Sequence, residues 1–348
     1  MITRRRLIKT FCALPLIAFL PRLGNAQNTV DFSILKDGYA KRLKKILAAD
    51  ELPYIDIESS CNSKKLDIDS VAKSMDRLNI GLMALSADIN RGQFKKGVRY
   101  DNLSKRLLDS YPDHFIPVGN GGPDVTEAAD EFLDAQEAAI RNKRIMLLGE
   151  FEFRHYPSTR QAKRGAMDRD VNVPIDGPIG QRVFNISETT GVAFQLHYEI
   201  EDVLLAPLEK MLEQYPKAKV IWCHLAQIRY IERASRYTPE YVDSLIKRFP
   251  NLYFDTAFGG ARSIYPLSNQ RHARVWISDG RLKPEWRDLI VAHPRRFLSA
   301  LDLGADRMDR IVEFDQNHRD FLRRLPDDAR HQVAYRSAWS LLFGEEFA

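Results

Sequence analysis

Eight short apolar runs, set apart by longer stretches of mixed polarity, constrain this chain more than any other feature. They are Tyr54–Ile57, Ile80–Leu85, Phe115–Val118, Ile145–Leu148, Val192–Leu196, Lys219–Cys223, Leu252–Phe254 and Phe297–Leu301. Runs of this length, bounded by turn residues, read as strands. Between them Val71–Leu78, Ala128–Ile140, Ile179–Thr190, Leu204–Gln214 and Tyr241–Phe249 carry apolar residues at helical spacing. Gly and Pro mark the joints at Pro112, Gly149, Gly191, Pro216 and Pro250.

Strands alternating with helices predict an α/β fold with a parallel sheet. Eight is also the strand count that closes a (β/α)8 TIM barrel, whose usual length of ~250 residues fits within this chain. An open doubly wound sheet is the competing architecture. It would bring a Gly-rich phosphate loop after an early strand, and neither GxGxxG nor GxxxxGK[ST] occurs. No long linker, repeat or low-complexity tract divides the chain. Residues 51–348 therefore read as one barrel domain, preceded by a lead-in over 27–50. Two long polar segments, Arg154–Pro178 and Ala257–Trp286, read as loops over the barrel mouth.

The first 26 residues stand apart. Arg4, Arg5, Arg6, Lys9 and Arg22 fall there with no acid among them, and the rest of the chain balances 47 basic against 47 acidic residues. The pI of about 9.0 is thus no sign of a nucleic-acid partner. The twin-arginine form Thr3-Arg4-Arg5-Arg6-Leu7-Ile8-Lys9, the apolar run Phe11–Leu20 and the small residues Gly24-Asn25-Ala26 follow the order of a removable signal peptide. The run is too short, and too interrupted by Pro15 and Pro21, for a membrane span. This predicts handling by the twin-arginine export machinery and a periplasmic or secreted destination. That route carries folded proteins, often with a cofactor in place. Of three cysteines, Cys12 lies in the signal, and Cys61 and Cys223 leave room for one disulfide at most, with buried packing the preferred role for Cys223.

In a barrel of this kind chemistry lies at the C-terminal strand ends. The first strand ends Ile57-Glu58-Ser59-Ser60, the fourth Gly149-Glu150, the fifth Leu196-His197, the sixth Cys223-His224 and the eighth Leu301-Asp302. Singly, each has an ordinary structural role: a hydrogen-bonded histidine, a helix cap, an ion pair. Together they bring carboxylate and imidazole groups to one rim, a donor set suited to a divalent ion such as zinc.

The sequence resembles the amidohydrolase superfamily, especially its amidohydrolase-related branch of metal-dependent TIM-barrel hydrolases, from about Leu52 to the C-terminus. Tyr111-Pro112-Asp113-His114-Phe115 looks like the entry to the third strand. Tyr215-Pro216 leading to Val220-Ile221-Trp222-Cys223-His224-Leu225 looks like the sixth. Phe249-Pro250-Asn251-Leu252-Tyr253-Phe254-Asp255-Thr256 is similar to the seventh. Ser337-Ala338-Trp339-Ser340-Leu341-Leu342-Phe343-Gly344 resembles the closing helix. The resemblance implies metal ligation by His197 and His224, a fourth-strand ligand at Glu150, and a proton shuttle or ligand at Asp302. It breaks at the first strand: His-x-His is replaced, and Asp56 is followed by Ile57-Glu58-Ser59-Ser60.

Two single-metal arrangements survive that loss. In one, Glu150, His197 and His224 hold the ion and Asp302 handles protons, as in some amino-sugar deacetylases. In the other, Glu58, His197 and Asp302 hold it, as in certain non-oxidative aromatic-acid decarboxylases. The first is preferred, because those decarboxylases carry Glu after the sixth-strand His, where this chain has Leu225-Ala226-Gln227. The expected activity is hydrolysis of an amide, lactone or ester-type bond in a small molecule by a metal-activated water. Decarboxylation of an aromatic or enol acid, and a non-catalytic periplasmic binding barrel without tight metal, are the alternatives. Arg262, Arg154, Tyr198 and His155 follow strand ends and are weaker candidates for binding an anionic substrate.

Overall fold

The computed structural model describes residues 29–89, 91–121, 129–304 and 307–348. The segment read as an export signal lies outside the described residues. Strand β1 (Tyr54–Cys61) pairs in parallel with β2 (Ile80–Ala87). The third strand, β3 (115–118), touches β2 at Met83–Phe115 and β4 (Leu147–His155) at Val118–Leu147. Parallel pairing then runs from β4 to β5 (Ala193–Tyr198), β6 (Val220–Trp222), β7 (Leu252–Asp255) and β8 (Phe297–Leu298). Backbone bonds from Ile57 N to Ser299 O (2.9 Å), Asp302 N to Glu58 O (3.0 Å) and Ser60 N to Leu303 O (2.8 Å) join the last strand to the first. The chain is a (β/α)8 barrel, with all eight strands at the apolar runs of the sequence.

The helices form where the apolar spacing places them: Ile68–Arg77, Ala129–Arg141, Pro178–Thr190, Asp202–Gln214 and Pro239–Arg248. Pro178 and Pro239 sit in the first turn, where a missing N–H leaves no bond unmade. The Asp67 and Thr238 side chains accept backbone N–H groups at the start of their helices. Gly191, at φ 74°, ends one helix in the left-handed region and turns the chain into β5. No described helix is long and apolar enough to cross a membrane.

Three features depart from the sequence reading. The lead-in contains a helix, Phe32–Leu47, which buries Tyr39 and Leu43 and donates the Tyr39 hydroxyl to the Phe115 carbonyl at 2.5 Å. Strand β4 runs on to His155, so Arg154 belongs to the sheet, not to a mouth loop. A two-residue strand, Val171–Asn172, pairs antiparallel with its end. The other long segment carries a small hairpin, Ile264–Tyr265 against Gln270–Arg271. Cys61 and Cys223 are both buried and free, so no disulfide joins them.

The closing strand is pinned from outside by His318. Its Nε2 lies 2.8 Å from the Ser299 hydroxyl, and its ring meets Tyr54 edge-on at 4.8 Å. Burial, then the charge of Arg319, pushes its pKa down to about 3. The unfolded chain takes up a proton near pH 6.5 that the folded chain refuses until about 3. Stability is therefore full above pH 6.5 and falls as pH drops through that window. Between pH 7 and 5 the loss from this residue should be about 2 kcal/mol. Urea unfolding of the parent and His318→Gln at both pH values tests this: the variant should show the smaller acid loss, and equal losses would refute it.

Candidate metal centre

Strand alternation delivers the central side chains. Along β4, Phe151 and Phe153 are fully buried in the apolar layer, and Phe151 packs near Phe132 and Phe194. Glu150, Glu152 and Arg154 occupy the other face. Gly149 allows the approach to the preceding strand, because a Cβ there would lie 2.7 Å from Gly121 N and 2.8 Å from Gly119 O. His197 follows Gln195 on the same face of β5. His224 comes directly after β6 with φ 63°, a left-handed conformation that costs a non-glycine residue about 1–3 kcal/mol. Its N–H donates to Asp255 Oδ1 at 2.7 Å, which holds the turn.

Glu150, His197 and His224 meet. Glu150 Oε1 is 2.8 Å from His197 Nδ1 and 3.2 Å from His224 Nε2, and the two nitrogens are 3.1 Å apart. Atoms bound about 2.1 Å from a tetrahedral ion stand about 3.4 Å apart, so these spacings make a slightly contracted ligand face. The donor set, two imidazoles and one carboxylate, suits zinc.

Electrostatics favour a cation. Burial pushes His197 down, but contact with Glu150 and then Glu199 raises its pKa to about 10. Burial likewise raises Glu150, but the two imidazoles hold it well below the ordinary carboxylate range. Glu58 is buried among acids. Burial first, then Glu150, Asp302 and Asp255, lift it well above its usual value. Without an ion, protons offset the crowded negative charge; a divalent ion would displace them.

The sequence candidates divide. Glu58 is 2% exposed and points into the barrel, where it groups with His224 and Asp255 rather than with His197 and Asp302. Asp302, at φ 51°, ion-pairs with Arg307 at 2.9 Å, close enough to the cluster to raise both Glu58 and His224. Tyr198 is not brought to the centre. Its hydroxyl donates to the Leu204 carbonyl and its ring packs near Trp222, because it alternates with His197 and so faces the helices. Arg154 is spent on Glu201 (2.9 Å) and Asp170 (2.5 Å). Arg262 is exposed on a turn beyond β7. His155 does reach the centre. Its ring centroid is 4.6 Å from that of His197, and burial, then the charges of His197 and Arg229, push its pKa well down.

Two acids escaped the sequence reading. Glu199, two residues beyond His197 and so on the same face, stands 3.4 Å from His197 Nε2 and 2.9 Å from Arg229 Nε. With an ion bound, that contact would hold a proton on Nε2 and leave Nδ1 to face the ion. Arg229 also donates to the carbonyls of Tyr156 and Pro157 and to Gln227. Asp255, fully buried at the tip of β7, was visible only as part of a motif; its strand-end position, like that of Asp302, was the available signal.

No protein-family model matches this chain, and no curated protein matches it by sequence. By structure it is similar to 2,6-dihydroxybenzoate decarboxylase complexed with 2,6-dihydroxybenzoate (TM-score 0.53, 13% identity, 84% of this chain and 99% of that one). The same decarboxylase from Rhizobium aligns with TM-score 0.52 at 13% identity over 84% and 98% of the two chains. A probable 2-pyrone-4,6-dicarboxylic acid hydrolase from Acinetobacter baumannii with citric acid bound aligns with TM-score 0.51 at 13% identity over 84% and 99%. At such identities the likeness is one of fold.

Loss of the Glu199 carboxylate should loosen the ligand it orients. In Glu199→Gln, zinc affinity measured by chelator competition should fall about 10–100-fold, with the barrel's circular dichroism retained. Unchanged affinity in a folded variant would remove Glu199 from the centre.

Proposed function

We propose that this barrel, which has the fold of the amidohydrolase superfamily, is a metal-dependent hydrolase acting on an amide, lactone or ester-type bond of a small molecule. One divalent ion, zinc by donor chemistry, would be held by Glu150, His197 and His224. The supporting observation is the convergence of those three ligand atoms to within 3.2 Å of one another at the C-terminal rim. A zinc ion in such a site supplies Lewis acidity, lowering the pKa of water from about 15.7 toward about 7 and polarising a carbonyl oxygen.

The remaining work falls to the chain's own groups. Asp302, whose side chain is one-third exposed, takes a proton at its carboxylate and returns it to the leaving group, while Arg307 holds its Oδ1. Glu199 would keep the His197 lone pair on Nδ1 once an ion is bound. His155, neutral at physiological pH, packs beside His197 without adding charge. Arg262, exposed beyond β7, is the remaining candidate for contacting an anionic substrate. Export through the twin-arginine route to the periplasm or beyond belongs to the same proposal and rests on Arg4, Arg5, Arg6 and the apolar run behind them.

A second reading, decarboxylation of an aromatic or enol acid, draws support from Glu58. Its inward carboxyl keeps a first-strand acid at the centre, where that chemistry would use it. The test is elemental analysis of the purified protein beside His197→Ala and His224→Ala. About one equivalent of zinc or another divalent ion in the parent, lost in both variants, is the expected result. Product analysis with amide, lactone and aromatic-acid panels then separates hydrolysis from carbon dioxide release. A parent that stays metal-free after loading would overturn both readings and leave a binding barrel.

A further inference from the structure

We infer that the barrel mouth carries an oxyanion subsite, in which the side chains of Gln227, Ser263 and His272 surround Gly259 and take up a carboxylate of the substrate. The inference deepens the reading above. It rests on that reading for there being a substrate, and not on the metal.

Backbone pairing brings the three residues together. Past the tip of β6, the Gln227 N–H donates to the His224 carbonyl at 2.9 Å, and Gln227 bridges antiparallel to Ala273. Bonds from Ile228 N to His272 O (2.9 Å) and from Arg274 N to Ala226 O (3.0 Å) hold 272–274 against 226–228. His272 N in turn donates to Ser263 O at 3.3 Å. A Cβ on Gly259 would lie 3.5 Å from His272 Nε2, 3.9 Å from Gln227 Nε2 and 4.0 Å from Ser263 Oγ. Three polar atoms thus ring a space that an exposed glycine, at φ 79°, keeps open.

All three can donate. Arg229 donates to Gln227 Oε1 at 3.1 Å, which fixes the orientation of the amide and leaves its NH2 group to the space. Glu199 holds that guanidinium at 2.9 Å. His272 is 7% exposed, and its Nδ1 is buried without a hydrogen-bond partner. Burial, then the charge of Arg229, pushes its pKa down to about 4, so the ring is neutral at physiological pH and carries one N–H. Buried N–H groups without a partner are rarer than acceptors without one, so the proton belongs on Nε2, which faces the space. Among the described residues no group accepts from His272 Nε2, Gln227 Nε2 or the Ser263 hydroxyl, and no acid ion-pairs with Arg262 beside it. Converging donors call for a ligand that brings lone pairs, which a cation does not. A carboxylate meets several donors at once through charge-assisted bonds. The charge of His224 also acts on His272, which places the subsite beside the centre.

The experiment titrates the full chain, zinc-loaded and chelator-stripped, with acetate and benzoate, and with acetamide and benzamide as uncharged isosteres. Binding is read by calorimetry and by the ring N–H signal of isotope-labelled histidine, assigned through His272→Phe. The carboxylates should bind in both forms and shift the His272 signal, and the amides should bind at least about tenfold more weakly. Gln227→Leu and His272→Phe should each weaken carboxylate binding about tenfold or more, with circular dichroism and zinc content unchanged. Two variants are needed because His272 also packs near Tyr265. The inference fails if no carboxylate binds, as when water fills the space, or if both folded variants bind like the parent. It fails equally if binding requires zinc, since the carboxylate then sits on the ion. A parent that takes no zinc yet binds carboxylates through Gln227 and His272 would keep this subsite and overturn the metal reading.

Discussion

The seam between the last strand and the first governs this molecule. β8 is only two residues long, so little regular pairing holds it. The junction relies instead on Asp56, whose carboxylate accepts the Leu301 N–H at 2.9 Å, the Ser59 hydroxyl at 2.7 Å and the Glu58 N–H at 3.3 Å. Burial lifts its pKa to about 7, so the acid that closes the ring is itself close to losing its charge. Without that seam Glu58 and Asp302 would not face β6 and β7. The centre therefore depends on the closure, not on any one strand.

Within the ring, chemistry and structure share the same acids. Glu152 and Glu199 are matched by guanidinium groups and serve to orient. Among the described residues Glu58, Glu150 and Asp255 have no such guanidinium partner, and other acids crowd Glu58. An interior that concentrates unmatched carboxylates is expensive in low dielectric unless a cation or protons join them. That imbalance distinguishes the centre from the salt-bridged rim, where Arg154 bridges Glu201 and Asp170.

The fold was legible because barrel strands are buried on both faces and announce themselves as apolar runs, even where, as in 115–118, only isolated bridges form. Helices were equally plain in their spacing. The extent of β4 was hidden because Glu150, Glu152 and Arg154 look like loop chemistry, although their alternation with Phe151 and Phe153 carried the period of a strand. Glu150, His197 and His224 could be found from their strand-end positions. Glu199 and Asp255 could not be singled out so easily, since Glu199 meets Arg229 at 2.9 Å and Asp255 meets the His224 N–H at 2.7 Å, contacts between segments distant in sequence. Tyr198 was misplaced by proximity to His197: neighbours on a strand face opposite sides.

The left-handed backbone at His224, and again at Asp302, has a consequence for how this barrel changes over generations. Glycine would relax either turn at once, so a drift toward greater stability leads directly away from an imidazole and a carboxylate at the centre. Retaining both side chains against that pull requires a use for them. These two turns therefore mark where a descendant that had abandoned its chemistry would first show it: glycine at the tips of strands six and eight, in an otherwise intact barrel.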